Sequence, residues 1–427
     1  MNRTPSAGAA ADAGIYLLPG ATGMSCLRFL ILTTIILAHT LESLSICAAT
    51  PCDRDACISD TDLSGTPLVR QPYFDCDCLG DVAEALTIQS DRWKIPFGGG
   101  AYHWFTEDLR GDNDGYGIPG LRDTYFWYVT ADPQFQLDGG NRIGGHVELR
   151  LREQDLFRSF LPGQVWTYEA YASLTTENHG TLKAGQVWKR FGMDWDGVWW
   201  GNAAYFDGFK LDPDYGMSWE KTTKIDGALS VDSYLQFFFH EDRVNGSFAG
   251  ADPESVFGYT ERNTGVLRLV PRWTLSDNSS LHVGLSAQVG QIESRQIGLS
   301  DEVVSAYAVD VNYYKGPWRL LVEGQQYFGR RNPVRWISGG PSNRVSNLLA
   351  GVQYTKGSVT YRGNYSATLD ANPHGIQNLL VTGVTVAATK NVDLYLEYVN
   401  QQISGNAVAS NNGQIFNSLN FIVHWHL

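Results

Sequence analysis

The chain has 427 residues, a formal net charge of -13 at pH 7 and a mean hydropathy of -0.22. With 43% hydrophobic and only 18% charged residues, it is neither an intrinsically disordered chain nor a strongly basic nucleic-acid-binding protein. Its 12% of aromatic residues and 45 glycines, beside only 4 methionines, favour strands and turns over helices. After residue 50 there is no run of about 18 uncharged apolar residues, so we expect no membrane-spanning helix there.

The first 49 residues carry the features of a secretory signal. Arg28 is followed by an apolar run from Phe29 to Ala38, and Ala49 ends a stretch of small residues suited to cleavage. This order of basic, apolar and small residues is typical of a signal peptide, and the apolar run is too short for a membrane anchor. The residues before Met24 fit none of these regions, so we expect Met24 to be the true start. We therefore expect the protein to be exported.

Residues 50–97 form an acidic segment that contains the four cysteines left after removal of the signal. An even number of cysteines in an exported chain favours two disulfides, whose three possible pairings stay open. The spacings C-x4-C and C-x-C differ from those of zinc or haem ligands, so we expect no metal here. The sequence leaves open whether this segment lies in the periplasm or fills the interior of the structure that follows. The disulfide candidates are Cys52, Cys57, Cys76 and Cys78.

From residue 98 to residue 427, runs of alternating apolar and polar residues are separated by short turns and longer polar stretches in strict alternation. The short turns contain the Gly, Asn or Asp that a tight reversal requires. They are Asp138–Asn141, Glu177–Gly180, Asp226–Gly227, Asp277–Asn278, Lys315–Pro317, Lys356–Gly357 and Lys390–Asn391. The longer stretches lie near 109–121, 154–163, 190–214, 241–259, 293–301, 329–344, 369–375 and 403–414. These connections predict about sixteen strands, each of a length that crosses a bilayer.

Each run has one apolar face and one face with ionised groups, as where Val147 and Leu149 alternate with Glu148 and Arg150. A soluble β-sandwich also alternates, so this pattern alone does not separate it from a membrane barrel. The export signal, the alternating connection lengths and the aromatic residues near the ends of the apolar runs favour the barrel. These interfacial aromatic candidates are Tyr125, Trp127, Trp188, Trp219, Trp273 and Trp318.

The final run alternates up to the last residue, with its apolar positions at Leu419, Phe421, Val423, Trp425 and Leu427. It resembles the C-terminal strand by which bacterial outer-membrane barrels are recognised for assembly, with Leu427 in place of the usual Phe. Residues 98–427 as a whole resemble the sixteen-stranded bacterial porin superfamily. The resemblance implies an all-β fold: a transmembrane antiparallel β-barrel of about 16 strands with short periplasmic turns, long extracellular loops and an in-folded third loop.

The same resemblance implies a function and a location. The expected protein is an outer-membrane porin of a Gram-negative-type envelope, a water-filled channel for passive diffusion of small hydrophilic solutes or ions. The expected partners are outer-membrane lipid and lipopolysaccharide, the barrel assembly machinery and two further copies in a homotrimer. We expect no cofactor, no metal and no nucleic acid.

The longest connection, Arg190–Asp214, is the third long loop and the one that narrows the lumen in such porins. The preceding Leu182–Gly192 is similar to the strand that leads into this loop in many of them. The many aromatic residues of the loop Arg190–Asp214 are expected to pack against the barrel wall. The alternative, in which they pack outside the barrel on neighbours or lipopolysaccharide, stays open. The charged residues of the expected constriction are Asp194, Asp196, Asp207, Arg190 and Lys210.

The pleat is expected to place a set of charged residues on the inner wall, opposite the acidic loop. Fixed charges select ions by sign, so the net acidity predicts a mildly cation-preferring pore with a transverse field. For any one of these residues, pairing with a neighbouring wall acid is the simpler alternative. The predicted wall charges are Glu148, Arg150, Arg152, Lys183, Lys189, Arg268, Arg272, Arg319, Glu323, Arg362 and Glu397.

No motif for an enzyme was found: G-x-S-x-G, H-E-x-x-H and G-x4-G-K-[ST] are all missing from the sequence. His424 and His426 lie two apart on the expected inner face, where polar lining is expected and metal chelation is the alternative.

Three other functions stay open at this point. The first is a substrate-specific channel, such as a carbohydrate channel, in which aromatic residues of the lumen stack on sugars. The second is a plugged surface barrel with a structural or adhesive role, and the third is a secreted soluble all-β binding protein. The stacking candidates are Tyr128, Tyr171, Tyr234 and Tyr395.

Overall fold

The computed structural model describes residues 86–111, 121–152, 165–193, 213–240, 259–294, 302–331, 342–371, 374–404 and 415–427. The signal region 1–49, with Met24, and the four cysteines of segment 50–97 lie outside the described residues. Within the described ranges, no helix is long and apolar enough to cross a membrane.

The described residues form nineteen β-strands and one short 3-10 turn at Asp138–Gly140. The strands are β1 (Ile88–Gln89), β2 (Trp93–Ile95), β3 (Phe97–Gly111), β4 (Leu121–Ala131), β5 (Gln134–Gln136), β6 (Arg142–Arg152), β7 (Val165–Thr176), β8 (Gly180–Trp188), β9 (Pro213–Lys224), β10 (Leu229–His240), β11 (Tyr259–Ser276), β12 (Ser279–Ser294), β13 (Glu302–Lys315), β14 (Trp318–Arg331), β15 (Ser342–Lys356), β16 (Val359–Ala371), β17 (His374–Thr389), β18 (Val392–Ser404) and β19 (Ile415–His426).

Sixteen of these strands, β3, β4 and β6 to β19, form a closed antiparallel barrel in which each strand pairs with its neighbours along the chain. The last strand closes the barrel on the first: Phe421 of β19 lies opposite Phe105 of β3, and Trp425 opposite Ala101. Closure leaves no strand edge with unpaired backbone groups, which is the condition for a β-structure in a bilayer. The predicted all-β barrel of about sixteen strands is confirmed.

All seven predicted short turns join consecutive barrel strands, and the eight longer stretches separate the other pairs. The turn between β9 and β10 shows why such sequences turn tightly. The Asp226 carboxylate accepts hydrogen bonds from the backbone N–H groups of Ala228 and Leu229, both at 2.7 Å. An Asp side chain that bonds its own backbone in this way stabilises a reversal within a few residues. Because the barrel is antiparallel throughout, all seven turns lie at one end, called the short-turn end below.

The two faces of the wall follow the alternation in the sequence. On β14, Leu320 and Val322 are about half exposed, at 46% and 49%, whereas Leu321 and Glu323, which alternate with them, are buried. Exposed apolar side chains recur on one face of the other strands, which is the pattern of a lipid-facing surface. Most of the buried polar residues, such as Glu323, lie on the opposite, inner face.

Four of the predicted interfacial aromatic residues lie on the outer face, but the prediction for Trp188 is wrong. Trp188 packs against Tyr168, with 5.6 Å between ring centroids, and Tyr168 also contacts the inner-face residues Tyr102 and Tyr128. A register shift in the β6–β7 pairing after Glu148 brings Tyr168 to the inner face, and Trp188 follows it. The side chain of Tyr125 lies outside the described residues. The four outer residues are Trp127, Trp219, Trp273 and Trp318.

The final strand differs from its predicted pattern at one position. Val423 was expected on an exposed outer face, but it is fully buried at the seam between β19 and β3. Its register partner His103 and the neighbouring Phe105 are buried as well. Alternation in a sequence assigns a residue to a face, whereas its exposure depends on what packs against that face.

The residues just before the barrel form a small three-stranded addition at the short-turn end. β1 pairs with β2, and β2 pairs with β5, which continues the line of β4 along β6. The rings of Trp93 and Phe135 pack with 4.7 Å between centroids. Residues 86–95 of the segment 50–97 therefore lie along the end of the barrel wall, on the hairpin between β5 and β6.

Candidate functional site

The buried ion pair between Arg268 and Asp310 joins two strands of the inner wall that lie on either side of a third strand. The Arg268 guanidinium on β11 reaches past β12 to the Asp310 carboxylate on β13, with N–O distances of 2.6 and 3.1 Å. One of its nitrogens also donates to the Ser286 hydroxyl on β12 at 2.9 Å. Both charged side chains are buried, with Asp310 only 1% exposed. Such a bidentate, hydrogen-bonded geometry is the one in which a buried pair offsets its desolvation cost.

A glycine makes room for this pair. Gly284 on β12 lies directly opposite Asp310 in the strand register. A Cβ at Gly284 would overlap the Asp310 carboxylate, so any larger residue there displaces that carboxylate from Arg268. Glycine inside a strand often marks such a close approach of another group.

The neighbouring wall charges are also neutralised within the wall. Arg272 on β11 forms an ion pair with Asp232 on β10, and Asp232 also accepts a hydrogen bond from the Thr222 hydroxyl on β9 at 2.7 Å. Lys183 on β8 lies 3.0 Å from Glu220 on β9. These contacts form a band of paired charges across β8 to β13, in which each of these three basic side chains has an acidic partner on another strand.

A second group of charges lies on β6 and β7. The Arg150 guanidinium forms an ion pair with Glu148 and stands over the ring of Tyr168, 3.0 Å from its centroid. His146 bonds to Asp132 at 2.7 Å between Nδ1 and Oδ1. Cation–π contact and pairing with a carboxylate both hold a guanidinium against the wall. Arg150 is therefore positioned by its own strand and by the shifted register of β7.

The start of the third long loop turns into the barrel. Lys189, immediately after β8, forms a buried ion pair with Asp214 at 3.0 Å. The backbone N–H of Arg190 donates to Oε1 of Gln236 on β10 at 2.6 Å, and Gln236 donates in return to the carbonyl of Trp188 at 2.8 Å. These contacts direct the chain along the inner wall instead of outward from the strand ends. We call residues Lys189–Met193 the inward segment.

The inward segment continues from β10 to β14. The N–H of Gly192 donates to the Ser286 hydroxyl on β12 at 3.1 Å, and the N–H of Met193 donates to Oε1 of Glu323 on β14 at 2.9 Å. Gly192 has a φ of 72°, a conformation that side chains other than glycine rarely adopt. Glycine is thus needed where the segment bends. Each of these N–H groups has lost water and would be costly to leave unpaired, so wall residues are required as acceptors.

Apolar contacts add to this attachment. Met193 packs in a cluster with Leu321 of β14 and Leu349 of β15, two leucines on the inner face of the wall. Burying a methionine side chain contributes on the order of 2 kcal/mol. The two leucines therefore provide an apolar contact surface for Met193, the last described residue of the inward segment.

The sequence-predicted site residues divide into those that the structure places and those outside it. Asp194, Asp196, Asp207 and Lys210 lie outside the described residues, as does the side chain of Arg152. Arg190 is within the inward segment, and its guanidinium carbon lies 5.8 Å from the ring centroid of Tyr234. The structure brings nine of the predicted wall charges onto the inner wall. They are Glu148, Arg150, Lys183, Arg268, Arg272, Arg319, Glu323, Arg362 and Glu397.

The residues missed by the sequence analysis are chiefly the acidic partners on the wall. In β13, Val309 and Val311 alternate with Ala308, Asp310 and Asn312. The same alternation was used to predict the other wall charges, so Asp310 could have been predicted as an inner-wall acid. The simpler alternative, in which a basic residue pairs with a neighbouring wall acid, is the arrangement at Arg268, Arg272, Lys183 and Arg150. Lys189 pairs with Asp214. Arg319 instead donates two hydrogen bonds to the Asn312 amide oxygen, at 2.8 and 3.0 Å.

The tyrosines proposed as a stacking track do not form one continuous line. Tyr171 stacks on His146, with 5.6 Å between ring centroids, and Tyr128 stacks on Tyr102 at 5.9 Å. Tyr395 is buried, and Tyr234 faces Arg190.

Comparison with known proteins adds the fold but no sequence relative. No model of a known protein family matches the chain, and no curated protein matches it in sequence. The structure is similar to that of Salmonella typhi OmpF in complex with daunomycin, with a TM-score of 0.58 and 13% identity over 80% of this chain and 100% of that one. It is also similar to the trimer form of OmpT, an outer membrane protein of Vibrio cholerae, with a TM-score of 0.53 and 13% identity over 79% and 100%.

A third solved structure is the anion-selective porin from Comamonas acidovorans, with a TM-score of 0.52 and 12% identity over 78% of this chain and 100% of that one. At such identities the likeness concerns the fold alone. The barrel thus has the architecture of the sixteen-stranded outer-membrane porins, as the sequence resemblance predicted.

Proposed function

We propose that this protein is an outer-membrane porin, a water-filled channel for passive diffusion of small hydrophilic solutes or ions. The observation that carries the proposal is the inward segment, which leaves the strand ends and runs along the polar inner wall from β10 to β14. A loop that is held against the inside of a closed barrel narrows the lumen without becoming a further strand of the wall. This is the arrangement that a size-selective pore requires, and a barrel that served only as a surface anchor would not need it.

The proposed ion preference is mildly cationic. The paired charges on the described wall cancel one another, so the net field depends on the remaining charges. The chain carries a net charge of -13, and the expected constriction has three aspartates, Asp194, Asp196 and Asp207, against Arg190 and Lys210. Carboxylates near a narrow passage attract cations because the field there is weakly screened. Since an anion-selective porin has the same fold, these local charges decide the sign and the fold does not.

The proposed setting follows from the outer surface and from the fold. The exposed apolar side chains suit contact with outer-membrane lipid, and the longer connections suit contact with lipopolysaccharide. The C-terminal strand β19, which closes the barrel on β3, is the proposed recognition element for the barrel assembly machinery. A homotrimer is proposed because a protein of this fold occurs in a trimer form. The role is non-enzymatic and needs no cofactor.

Planar-bilayer recording tests the proposal. The barrel purified in detergent is expected to give stable conductance steps, and a KCl gradient is expected to give a reversal potential of the cation-selective sign. Steps with an anion-selective sign would retain the porin and contradict the cation preference. A folded barrel that gives no steps would contradict the channel function.

A closed lumen is the second candidate function, because many inner-face side chains are almost inaccessible. Ser366 of β16 and Glu323 of β14 are 1% and 2% exposed. A barrel filled in this way would serve as a structural or adhesive surface protein. The same recording separates the two functions, since a closed barrel would fold and yet pass no current.

A carbohydrate-specific channel remains the third candidate, carried by the aromatic contacts among Tyr102, Tyr128 and Tyr168 on the inner face. Aromatic faces bind sugar rings through apolar contact. Block of the conductance by an oligosaccharide that saturates with concentration would favour this function over general diffusion.

A further inference from the structure

We propose that Asp393, His424 and His426 form a binding site for a divalent transition-metal ion at the short-turn end of the lumen. One ligand atom from each of the three side chains lies within 4.8 Å of the others. Two imidazoles and one carboxylate form a donor set that suits Zn2+ and its neighbours among the first-row metals. The site differs from the inward segment and its wall contacts, which lie on other strands.

The strand geometry brings these three residues together. His424 and His426 are two apart on β19, so their side chains point to the same face of the wall. Asp393 on β18 lies directly opposite His424 in the strand register. The two imidazole rings are 4.9 Å apart between centroids, and Nε2 of His426 lies 3.9 Å from Oδ2 of Asp393. An ion with bond lengths of about 2 Å thus requires only small side-chain rotations to bind all three.

The backbone around the site is fixed at both strands. The N–H of His426 donates to the carbonyl of Asn391 at 2.9 Å, and the Asn391 side-chain amide donates back to the carbonyl of His426 at 3.0 Å. Asn391 belongs to the short turn that leads into β18. Ligands on rigid, hydrogen-bonded strands stay close to the geometry that a metal ion needs.

The ring of His424 is also oriented by its neighbours. It stacks on Tyr102, with 3.9 Å between centroids and 9° between planes, and the Tyr128 hydroxyl lies 3.1 Å from its Nε2. Histidines that bind metals usually have one ring nitrogen held by a hydrogen-bonding group, which orients the ring and sets the tautomer. Tyr128 is therefore a positioning residue in this proposal.

Solvent and ions have access to the site. The side chains of Asp393 and His426 are 13% and 31% exposed, so they are neither sealed in a core nor spread over a fully hydrated surface. Two neutral imidazoles and one carboxylate leave a divalent ion with one net positive charge and an open position for water.

Zinc titration of the detergent-purified full-length barrel tests the proposal. Competition with a chromophoric chelator, after alkylation of free thiols, is expected to show one Zn2+ site per chain. Asp393→Asn and His426→Ala are each expected to weaken binding at least about tenfold, and Tyr128→Phe about tenfold. His282→Ala is the matched control, because His282 is an inner-wall histidine on β12, outside this cluster, and it should leave zinc affinity unchanged.

No binding by the wild-type barrel would overturn the proposal, and so would affinity that survives both ligand variants. Folding of each variant is checked by heat-dependent gel mobility. Co2+ bound to the wild-type protein gives a readout that needs no variant. The strong visible bands of a four-coordinate site are expected, whereas the weak spectrum of a hydrated ion would contradict the site. Because these assays need no current, they hold whether or not the barrel conducts.

Discussion

The guanidinium of Arg268 is bound to the carboxylate of Asp310 by two hydrogen bonds that pass over a strand belonging to neither residue. That intervening strand, β12, takes part through a hydroxyl at Ser286 and through a missing side chain at Gly284. Three consecutive strands are thereby joined on the inner face by side chains as well as by backbone hydrogen bonds. Ser286, which accepts the hydrogen bond from the Gly192 N–H, therefore belongs to this joined part of the wall.

Removal of one member of this pair should be costly. Arg268→Ala leaves the Asp310 carboxylate buried without its partner, so the free energy of unfolding is expected to fall by about 3 to 5 kcal/mol. Urea unfolding followed by tryptophan fluorescence in detergent gives this value. The double variant Arg268→Ala/Asp310→Ala should lose less than the sum of the single variants. Additive losses would show that the two charges do not interact.

Gly284→Ala tests the close approach of the Asp310 carboxylate. The added methyl overlaps that carboxylate, so a loss of about 1 to 3 kcal/mol in the free energy of unfolding is expected. Gly324→Ala is the control, since a Cβ at Gly324 meets nothing within 4 Å. Equal stability of the two variants would mean that the space over Gly284 is not needed.

Two substitutions of Glu323 separate attachment of the inward segment from charge. Glu323→Ala removes the acceptor of the Met193 N–H, and the freed segment is expected to change the single-channel conductance and make it noisier. Glu323→Gln keeps an acceptor oxygen and should retain the quiet wild-type steps. If both variants showed the same conductance and noise, the charge of Glu323 would matter rather than its hydrogen bond.

The loop aspartates should set the ion preference. The triple variant Asp194→Asn/Asp196→Asn/Asp207→Asn is expected to move the reversal potential in a KCl gradient toward the anion-selective side, because three negative charges near the passage are lost. Asp226→Asn, in a short turn at the end of the barrel, removes a charge far along the chain from the loop and serves as the control. An unchanged reversal potential in the triple variant would place the selectivity on the wall.

The outer face should behave as a surface in contact with lipid. Val322→Arg places a charge in the apolar outer face of β14, four residues from Trp318, and a loss of about 2 to 4 kcal/mol in folding free energy into lipid vesicles is expected. Trp318→Arg at the short-turn end of the same strand should cost only about 0 to 1 kcal/mol from the charge itself. Equal costs at both positions would mean that this face does not enter the hydrocarbon region.

The strands and their two faces could be predicted from local sequence patterns alone. Turns such as Lys315–Pro317 contain their own turn-forming residues, and the period-two alternation of residues such as Leu320 and Val322 gives the face. Trp188 shows the limit of this reasoning. Its inward position depends on a register shift in β7, which belongs to the pairing of two strands and not to the residues beside Trp188.

The sequence predicts which residues line the inner wall, but it does not predict which of them pair with one another. Alternation places Arg268 on the inner wall, but its pairing with Asp310 follows from the registers of two strand pairs and from the space at Gly284. Likewise, the sequence marks the third loop as long and aromatic, while the acceptors for Gly192 and Met193 are 94 and 130 residues further along the chain. Such long-range matches arise only in the assembled barrel.

The three-stranded addition formed by β1, β2 and β5 sets the direction from which the preceding chain reaches the barrel. Because β2 pairs with β5 beside the turn at Asp138–Gly140, residue 86 emerges on the side of the seven short turns. An epitope or a protease cleavage sequence inserted just before Leu86 would thus be accessible from the side of the membrane that holds the short turns. The same insertion in a long connection would be accessible from the other side. A pair of such insertions would establish the orientation of the barrel in intact cells by antibody or protease accessibility alone.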